Sequence, residues 1–141
     1  MPTTIYHNPK CSTSRNTLGL IRNTGEEPVI VEYLKTPLSK EELRALVAKL
    51  DIPVRALLRP KEKLYAERDL GNPQWSDEDL LGLMAEHPIL MNRPVVITAK
   101  GAKLCRPESE AVLDILEKPQ RGAFAKEDGT RVVDEHGKRI Q

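Results

Sequence analysis

The amino-acid sequence predicts an α/β fold, with one mixed four-stranded sheet and a group of helices inserted between its second and third strands. Three observations favour it: a strand–helix–strand opening, a helical middle, and a closing pair of strands followed by a helix. The chain has 141 residues, of which 39% are hydrophobic, so it can form one domain with a modest core.

The opening segment alternates strand and helix. Residues 3–6 predict a short strand, and a helix is expected to begin just after Cys11, because residues 12–14 are all helix-capping types. Gly25 is a natural stop for that helix. Residues 29–34 are rich in β-branched side chains and predict the second strand.

The middle of the chain, about residues 37–88, carries helical signals. Ser39 begins a capping box ahead of an apolar stripe, and residues 53–58 fit a short helix with proline at its first position. Ser76 caps a third helix, which Pro88 ends. This region is the predicted helical insertion.

The closing segment predicts two strands and a helix. Residues 94–98 and 102–105 are the strands, joined by a tight turn at 100–101, and a final helix is expected at about 108–117. The tail, about 119–141, is mostly polar and is expected to wrap the surface or to fray.

This order of elements is the thioredoxin-like order with helices inserted in its middle. The sequence contains no internal repeat, low-complexity tract or linker, so we predict a single domain over residues 1–141.

Charge and hydropathy exclude several classes of partner. The 22 Lys and Arg residues nearly cancel the 21 Asp and Glu residues, so we expect neither nucleic acid nor a membrane surface as a partner. The first twenty residues lack the pattern of a signal peptide, and no apolar run approaches membrane-spanning length. We therefore expect a cytoplasmic protein.

Cys11 is the residue on which a functional prediction depends. A cysteine just ahead of a helix lies where unpaired backbone N–H groups and the helix dipole favour the nucleophilic thiolate. The same N–H groups can bind a tetrahedral oxyanion beside the sulfur. The alternative is that Cys11 is only a small, half-buried side chain in a turn.

The residues after Cys11 exclude two neighbouring chemistries. A two-cysteine redox motif needs a second cysteine at Ser14, and a phosphatase of the cysteine-plus-five-plus-arginine type needs arginine at Thr17. Cys105 is too distant in sequence to indicate a disulfide framework or a zinc site. Arg15 either points into the site or is a solvated helix residue.

Three arginines, Arg59, Arg93 and Arg106, each precede a proline. The residue before proline is disfavoured in helices, so each arginine is expected at the end of an element, where sites form. Guanidinium groups suit bidentate recognition of oxyanions. The alternative is chance, because the chain has eleven prolines. A thioredoxin-like fold also leads us to expect a cis Pro94 at the start of the third strand.

Four segments, IYHNPKCSTSRNTL, VRALLR, HPILMNRPVVIT and KLCRP, together resemble the glutaredoxin-dependent arsenate reductases of bacterial arsenic resistance. The resemblance extends into the tail, through GAFAKEDG and VVDEHGKR. It implies that Cys11 is the nucleophile, and that Arg59, Arg93 and Arg106 bind arsenate and stabilise its adducts.

The same resemblance implies that His7 and Ser14 tune the thiolate. Pro60, after Arg59, departs from the family pattern and could alter the mobility of that segment. The implied reaction reduces arsenate to arsenite through a covalent cysteine–arsenate adduct, with glutathione as co-substrate and glutaredoxin as partner. It implies no bound cofactor or metal.

Two alternatives from other classes remain open. One is a transcription regulator of the related Spx type, which often senses oxidation through a CxxC motif that CSTS lacks. The other is a monothiol glutaredoxin-like disulfide reductase, for which the arginines would be superfluous.

Overall fold

The computed structural model describes residues 2–141, so Met1 of the predicted domain lies outside the described residues. The strands are β1 (Thr4–His7), β2 (Val29–Glu32), β3 (Val95–Thr98), β4 (Gly101–Leu104), β5 (Phe124–Ala125) and β6 (Arg131–Val133). The α-helices are α1 (Ser12–Arg22), α2 (Lys40–Leu50), α3 (Lys63–Glu67) and α4 (Asp77–Glu86). Short 3-10 helices lie at Val54–Leu57, Pro88–Leu90 and Ser109–Asp114.

The main sheet has four strands in the order β2-β1-β3-β4. β1 and β2 are parallel, and the β1–β3 and β3–β4 pairs are antiparallel. The mixed four-stranded sheet of a thioredoxin-like fold is therefore confirmed, with helices between its second and third strands.

The chain groups into two compact units, residues 2–32 together with 93–141, and residues 33–92. The second unit has nearly the bounds predicted for the insertion. Whether the chain acts as a single domain stays a prediction.

Helix α1 and the sheet form the core of the first unit. Leu18, Leu20 and Ile21 recur at helical spacing and are buried in one cluster with Ile5 of β1 and Val96 of β3. Because this apolar face fixes α1 against the sheet, it also fixes the start of the helix at Cys11.

The second unit is helical, as predicted. α2 and α4 begin with capping boxes at Ser39 and Ser76, in which each hydroxyl accepts a hydrogen bond from the third residue of its helix. Their apolar faces contact each other. The buried side chains of these helices are Leu43, Leu46, Val47, Leu50, Leu80, Leu81, Leu83 and Met84.

The structure refines two predicted helices and adds a third that the sequence did not predict. The final helix, expected at 108–117, is a 3-10 helix at Ser109–Asp114, and the segment 53–58 is a 3-10 helix at Val54–Leu57. Helix α3 was not predicted. In the final segment Ser109, Val112 and Ile115 are all buried, which is the three-residue period of a 3-10 helix and not an α-helical stripe.

The tail belongs to the first unit, and part of it enters the core, whereas the sequence led us to expect a tail that wraps the surface or frays. β5 and β6 pair as a two-stranded antiparallel sheet, and Val132 and Val133 are buried in the core cluster of α1 and β1. Within residues 2–141, every helix is too short or too polar to cross a membrane.

Candidate active site

Cys11 occupies the N-cap position of α1, with extended backbone angles of φ −97° and ψ 122°. Its N–H donates to the carbonyl of Asn8 at 3.0 Å, and its carbonyl accepts from the N–H of Arg15 at 2.9 Å. The Asn8 side chain turns the loop by accepting from the N–H of Lys10 at 3.0 Å. The loop therefore holds the partly exposed sulfur over the first turn of the helix.

His7 and Ser14 lie together beneath this loop, and both are buried. The hydroxyl of Ser14 is 2.6 Å from Nδ1 of His7 and accepts from the N–H of Asn8 at 3.1 Å. Burial, the largest cause, lowers the pKa of His7 below its ordinary value, although the nearby carboxylate of Glu32 opposes the shift. A neutral imidazole therefore joins the end of β1 to the first turn of α1.

The β3–β4 hairpin brings Arg93 and Arg106 to the same end of the sheet. Its register pairs Val95 with Leu104, so the residues just outside the strands face each other. Nη1 of Arg106 donates to the carbonyl of Arg93 at 3.1 Å and lies 3.6 Å from the sulfur of Cys11. The structure thus brings both arginines together with the cysteine.

Both arginines precede a cis proline. The Arg93–Pro94 and Arg106–Pro107 bonds are cis, which confirms the expectation for Pro94 and adds a second bond that the sequence did not predict. Arg93 is 9% exposed, so its charge sits close to the protein interior.

The pKa of the Cys11 thiol lies below its ordinary value. Burial is the largest influence and by itself raises the pKa, but the lowering influences together outweigh it. These are, in order, the N–H of Ser14, the hydrogen bonding and charge of Arg93, and the hydrogen bonding of Arg106. The site therefore favours the thiolate.

Cys105 has the opposite environment. It is fully buried at the end of β4, and burial raises the pKa of its thiol to about 12. The two cysteines differ because only Cys11 faces a helix N-terminus and the two guanidinium groups.

Arg15 is held in the protein surface near Cys11. Its Nε and Nη2 form a bidentate ion pair with Glu127, at 2.7 and 2.8 Å, and its Nη1 donates to the carbonyl of Pro9 at 2.8 Å. Its side chain is 41% exposed, so of the two alternatives the structure favours a surface helix residue, here with its N–H groups bonded to protein oxygens.

Arg59 belongs to the second unit. Its Nε pairs with the carboxylate of Glu62 at 3.1 Å, and its backbone N–H donates to the carbonyl of Leu90 at 2.8 Å. Its side chain is 17% exposed. The structure leaves its relation to Cys11 a prediction.

The arrangement around Cys11 is suited to nucleophilic attack on an oxyanion. A thiolate at a helix N-terminus is flanked by two permanent cations, and guanidinium groups bind and spread the charge of tetrahedral oxyanions. Across residues 2–141, no three His, Cys, Asp or Glu side chains cluster in a way that could hold a metal ion.

Sequence reasoning missed the contacts that the tail makes with this site. Glu127 and Lys126 lie in a segment with no catalytic signature, more than a hundred residues from Cys11. The resemblance in GAFAKEDG was the one signal in the sequence that marked this part of the tail.

Comparison with known proteins places the chain in a family. A model described as the ArsC family matches residues 6–113. An arsenate reductase of Yersinia enterocolitica is 57% identical over 138 residues, covering 98% of this chain and 97% of that protein. An arsenate reductase of Escherichia coli is 55% identical with the same coverage.

Solved structures agree. The structure of an arsenate reductase from Vibrio cholerae matches with a TM-score of 0.78 and 50% identity, covering 82% of this chain and 98% of that one. The family match includes Cys11, Arg93 and Arg106, so these three residues lie inside the shared region. It also includes Arg59 of the second unit. The chain belongs to the ArsC family.

Proposed function

We propose that this protein reduces arsenate to arsenite, with glutathione and glutaredoxin supplying the electrons. The observation that carries the proposal is the contact between the Cys11 sulfur and Arg106, at the N-terminus of α1. The names of close relatives point to the same substrate.

In the first step the Cys11 thiolate attacks arsenic and forms a sulfur–arsenic bond. An arsenate hydroxyl takes up the proton of a second arsenate hydroxyl and leaves as water, and arsenic stays at oxidation state five. Arg93 and Arg106 hold the remaining oxygens and offset the negative charge that gathers on them. The N–H groups of the first turn of α1 share this role.

In the second step glutathione reduces the adduct. The glutathione thiolate forms a disulfide with the Cys11 sulfur, and the electron pair of the sulfur–arsenic bond stays with arsenic, which is released as arsenite. Because Ser14 stands where a resolving cysteine would be, an external thiol is needed. A glutaredoxin thiolate then attacks the glutathione sulfur of the mixed disulfide, forms its own disulfide with glutathione, and releases Cys11 as the thiolate.

The other residues have supporting roles in this proposal. Arg59 stabilises an adduct, and Ser14, braced by neutral His7, holds its N–H against the Cys11 sulfur. No bound cofactor or metal is needed. We place the reaction in the cytoplasm, where glutathione keeps thiols reduced.

The experiment that tests the proposal measures arsenite formation by the purified protein with glutathione and glutaredoxin together, with each alone, and with neither. Turnover that requires both supports the full proposal. Turnover with glutathione alone would remove glutaredoxin from it, and no arsenite under any condition would refute it. Disulfide reduction without arsenite formation would instead indicate a glutaredoxin-like activity.

A further inference from the structure

The C-terminal segment 120–127, here called the strap, runs along α1 from its last turn to its first. At the last turn, Nε2 of Gln120 donates to the carbonyl of Leu20 at 2.8 Å, and this bond is buried. Nδ2 of Asn23 donates to the carbonyl of Gly122 at 2.9 Å. These bonds fix one end of the strap.

The middle of the strap lies against a glycine. A Cβ built on Gly19 would stand 2.7 Å from Cζ of Phe124, so only a residue without a side chain allows this approach. The ring therefore packs directly on the backbone of the helix, and the strap cannot slide along it freely.

The far end of the strap reaches the Cys11 loop. The N–H of Glu127 donates to Oδ1 of Asn16 at 3.0 Å, and its carboxylate holds Arg15 through two bonds. The remaining guanidinium nitrogen of Arg15, Nη1, donates to the carbonyl of Pro9, two residues before Cys11. A continuous chain of hydrogen bonds thus runs from the strap into the loop that carries the sulfur.

The neighbouring strap residue contacts the segment that follows Arg106. Nζ of Lys126 lies 3.1 and 3.3 Å from the two carboxylate oxygens of Glu110, and 3.6 Å from Glu108. The side chains of Lys126 and Glu110 are only 16% and 15% exposed. Both glutamates follow closely on Arg106. The adjacent strap residues Lys126 and Glu127 therefore bond to two different segments: Lys126 to the segment after Arg106, and Glu127 to the first turns of α1.

We propose that the strap positions the Cys11 loop, with Glu127 and Arg15 as positioning residues and Lys126 as the tie to the segment after Arg106. The inference rests on the proposed function only in taking Cys11 as the nucleophile. The strap lies beyond residues 6–113, the region matched by the family model.

The direction in which the pKa of Cys11 changes when the carboxylate of Glu127 is removed distinguishes a positioning effect from a purely electrostatic one. The cations facing Cys11 are Arg93 and Arg106, with Arg15 acting from further away, and Glu127 neutralises Arg15. Removing the carboxylate of Glu127 leaves the charge of Arg15 unopposed, so electrostatics alone would lower the pKa of the thiol. Loss of positioning would raise that pKa, because the loop would move from the N–H of Ser14 and from Arg106.

The experiment uses Glu127→Gln in a Cys105→Ser background, where Cys11 is the single thiol. The rate of alkylation by iodoacetamide is measured against pH, together with arsenate turnover. We expect the pKa of Cys11 to rise by about 0.5 units or more, and kcat/KM to fall roughly threefold or more. An unchanged or lowered pKa overturns the inference.

The matched control is the pair of Arg22 and Glu27 at the other end of α1. It is also bidentate, at 2.8 and 2.9 Å, and exposed, so Glu27→Gln should reproduce any general loss of stability without shifting the pKa of Cys11. An equal pKa shift in this control would overturn the inference.

A double variant guards against indirect effects. Once Arg15→Gln has broken the link, adding Glu127→Gln should change the pKa of Cys11 no further, and a full additional shift would overturn the inference. Alkylation does not depend on arsenate. A wild-type protein that fails to reduce arsenate would therefore refute the proposed function. The strap inference would still be decided by the pKa of Cys11 measured from alkylation.

Discussion

The sulfur of Cys11 lies 3.6 Å from Nη1 of Arg106, although 95 residues separate them in the sequence. The same nitrogen donates to the carbonyl of Arg93, so a backbone group holds the positively charged guanidinium of Arg106 next to the sulfur. The position of the cation therefore depends on the β3–β4 hairpin more than on the rotamer of a free side chain.

The two cysteines should respond very differently to substitution. Cys11→Ser should abolish arsenate reduction, because a serine hydroxyl is a far weaker nucleophile at neutral pH than a thiol with a lowered pKa. Cys105→Ser should keep most activity, because the thiol of Cys105, with a pKa of about 12, stays protonated and buried. Steady-state arsenite formation checks both, and retained turnover in Cys11→Ser would refute the mechanism.

Lysine at Arg93 or Arg106 should weaken catalysis while keeping the charge. A lysine loses the planar fork that binds an oxyanion with two bonds. Losing one charge-assisted hydrogen bond costs about 1.5–3 kcal/mol, so we expect kcat/KM for arsenate to fall roughly ten- to hundred-fold.

Arg22→Lys is the control for this pair, because Arg22 lies in the last turn of α1 and pairs with Glu27 on the surface. It should be close to wild type. Near-normal kinetics in both Arg93→Lys and Arg106→Lys would mean that the helix N-terminus alone holds the substrate.

Arg59→Lys should lower turnover more than arsenate affinity. In the second unit Arg59 already pairs with the carboxylate of Glu62, and in the proposed mechanism it acts on an adduct formed after arsenate binds. We expect kcat to fall several-fold with a smaller change in KM. Arg68→Lys, an exposed position after α3, serves as the control. A rise in KM with unchanged kcat would assign Arg59 to initial binding instead.

His7 should make the stability of the protein depend on pH in the acidic range. Its pKa in the folded protein is lowered by burial, whereas in the unfolded chain it is about 6.5. Above that pH both states are neutral at this residue. As the pH falls below it, the unfolded chain binds the proton first, so the free energy of unfolding decreases until the pH reaches the lowered pKa of the folded protein.

In His7→Gln the free energy of unfolding should therefore decrease less as the pH falls than it does in the wild type. Urea unfolding of wild type and variant between pH 5 and pH 8 measures it, and the other titrating groups are common to both proteins. Curves that stay parallel across this range would contradict the prediction.

Local patterns in the sequence predicted most of the fold. The caps at Ser39 and Ser76, the β-branched strands and the turn before β4 are short-range signals. The caps lie where they were expected, and the strands and the turn lie within one or two residues of their predicted bounds. The sequence predicts a helix at about 108–117, and the structure has a shorter 3-10 helix at Ser109–Asp114, because a short apolar run does not fix the helix type.

The candidate site was less completely predicted. The setting of Cys11 and the two Arg–Pro pairs could be read locally, and the sheet register then brings them together. The bonds from Glu127 to Arg15 and from Lys126 to Glu110 join distant segments, and no periodicity in either segment encodes such a pairing. The sequence therefore does not determine the partners of Arg15.

Gly19 and Gly82 should give opposite results when each is replaced by alanine. Both lie in helix interiors, where alanine is favoured over glycine by about 1 kcal/mol. A Cβ at Gly82 would meet no atom within 4 Å, so Gly82→Ala should raise the free energy of unfolding by nearly that amount. A Cβ at Gly19 would stand 2.7 and 2.8 Å from two ring carbons of Phe124.

In Gly19→Ala the ring must move, and overpacking of this kind costs about 1–3 kcal/mol, so we expect a net destabilisation of about 1 kcal/mol. Chemical denaturation measures both variants. Phe124→Leu removes the obstructing ring, so in that background Gly19→Ala should become stabilising, like Gly82→Ala. A stabilising Gly19→Ala in the wild-type background would show that the ring yields at little cost, and that Phe124 does not fix the strap to α1.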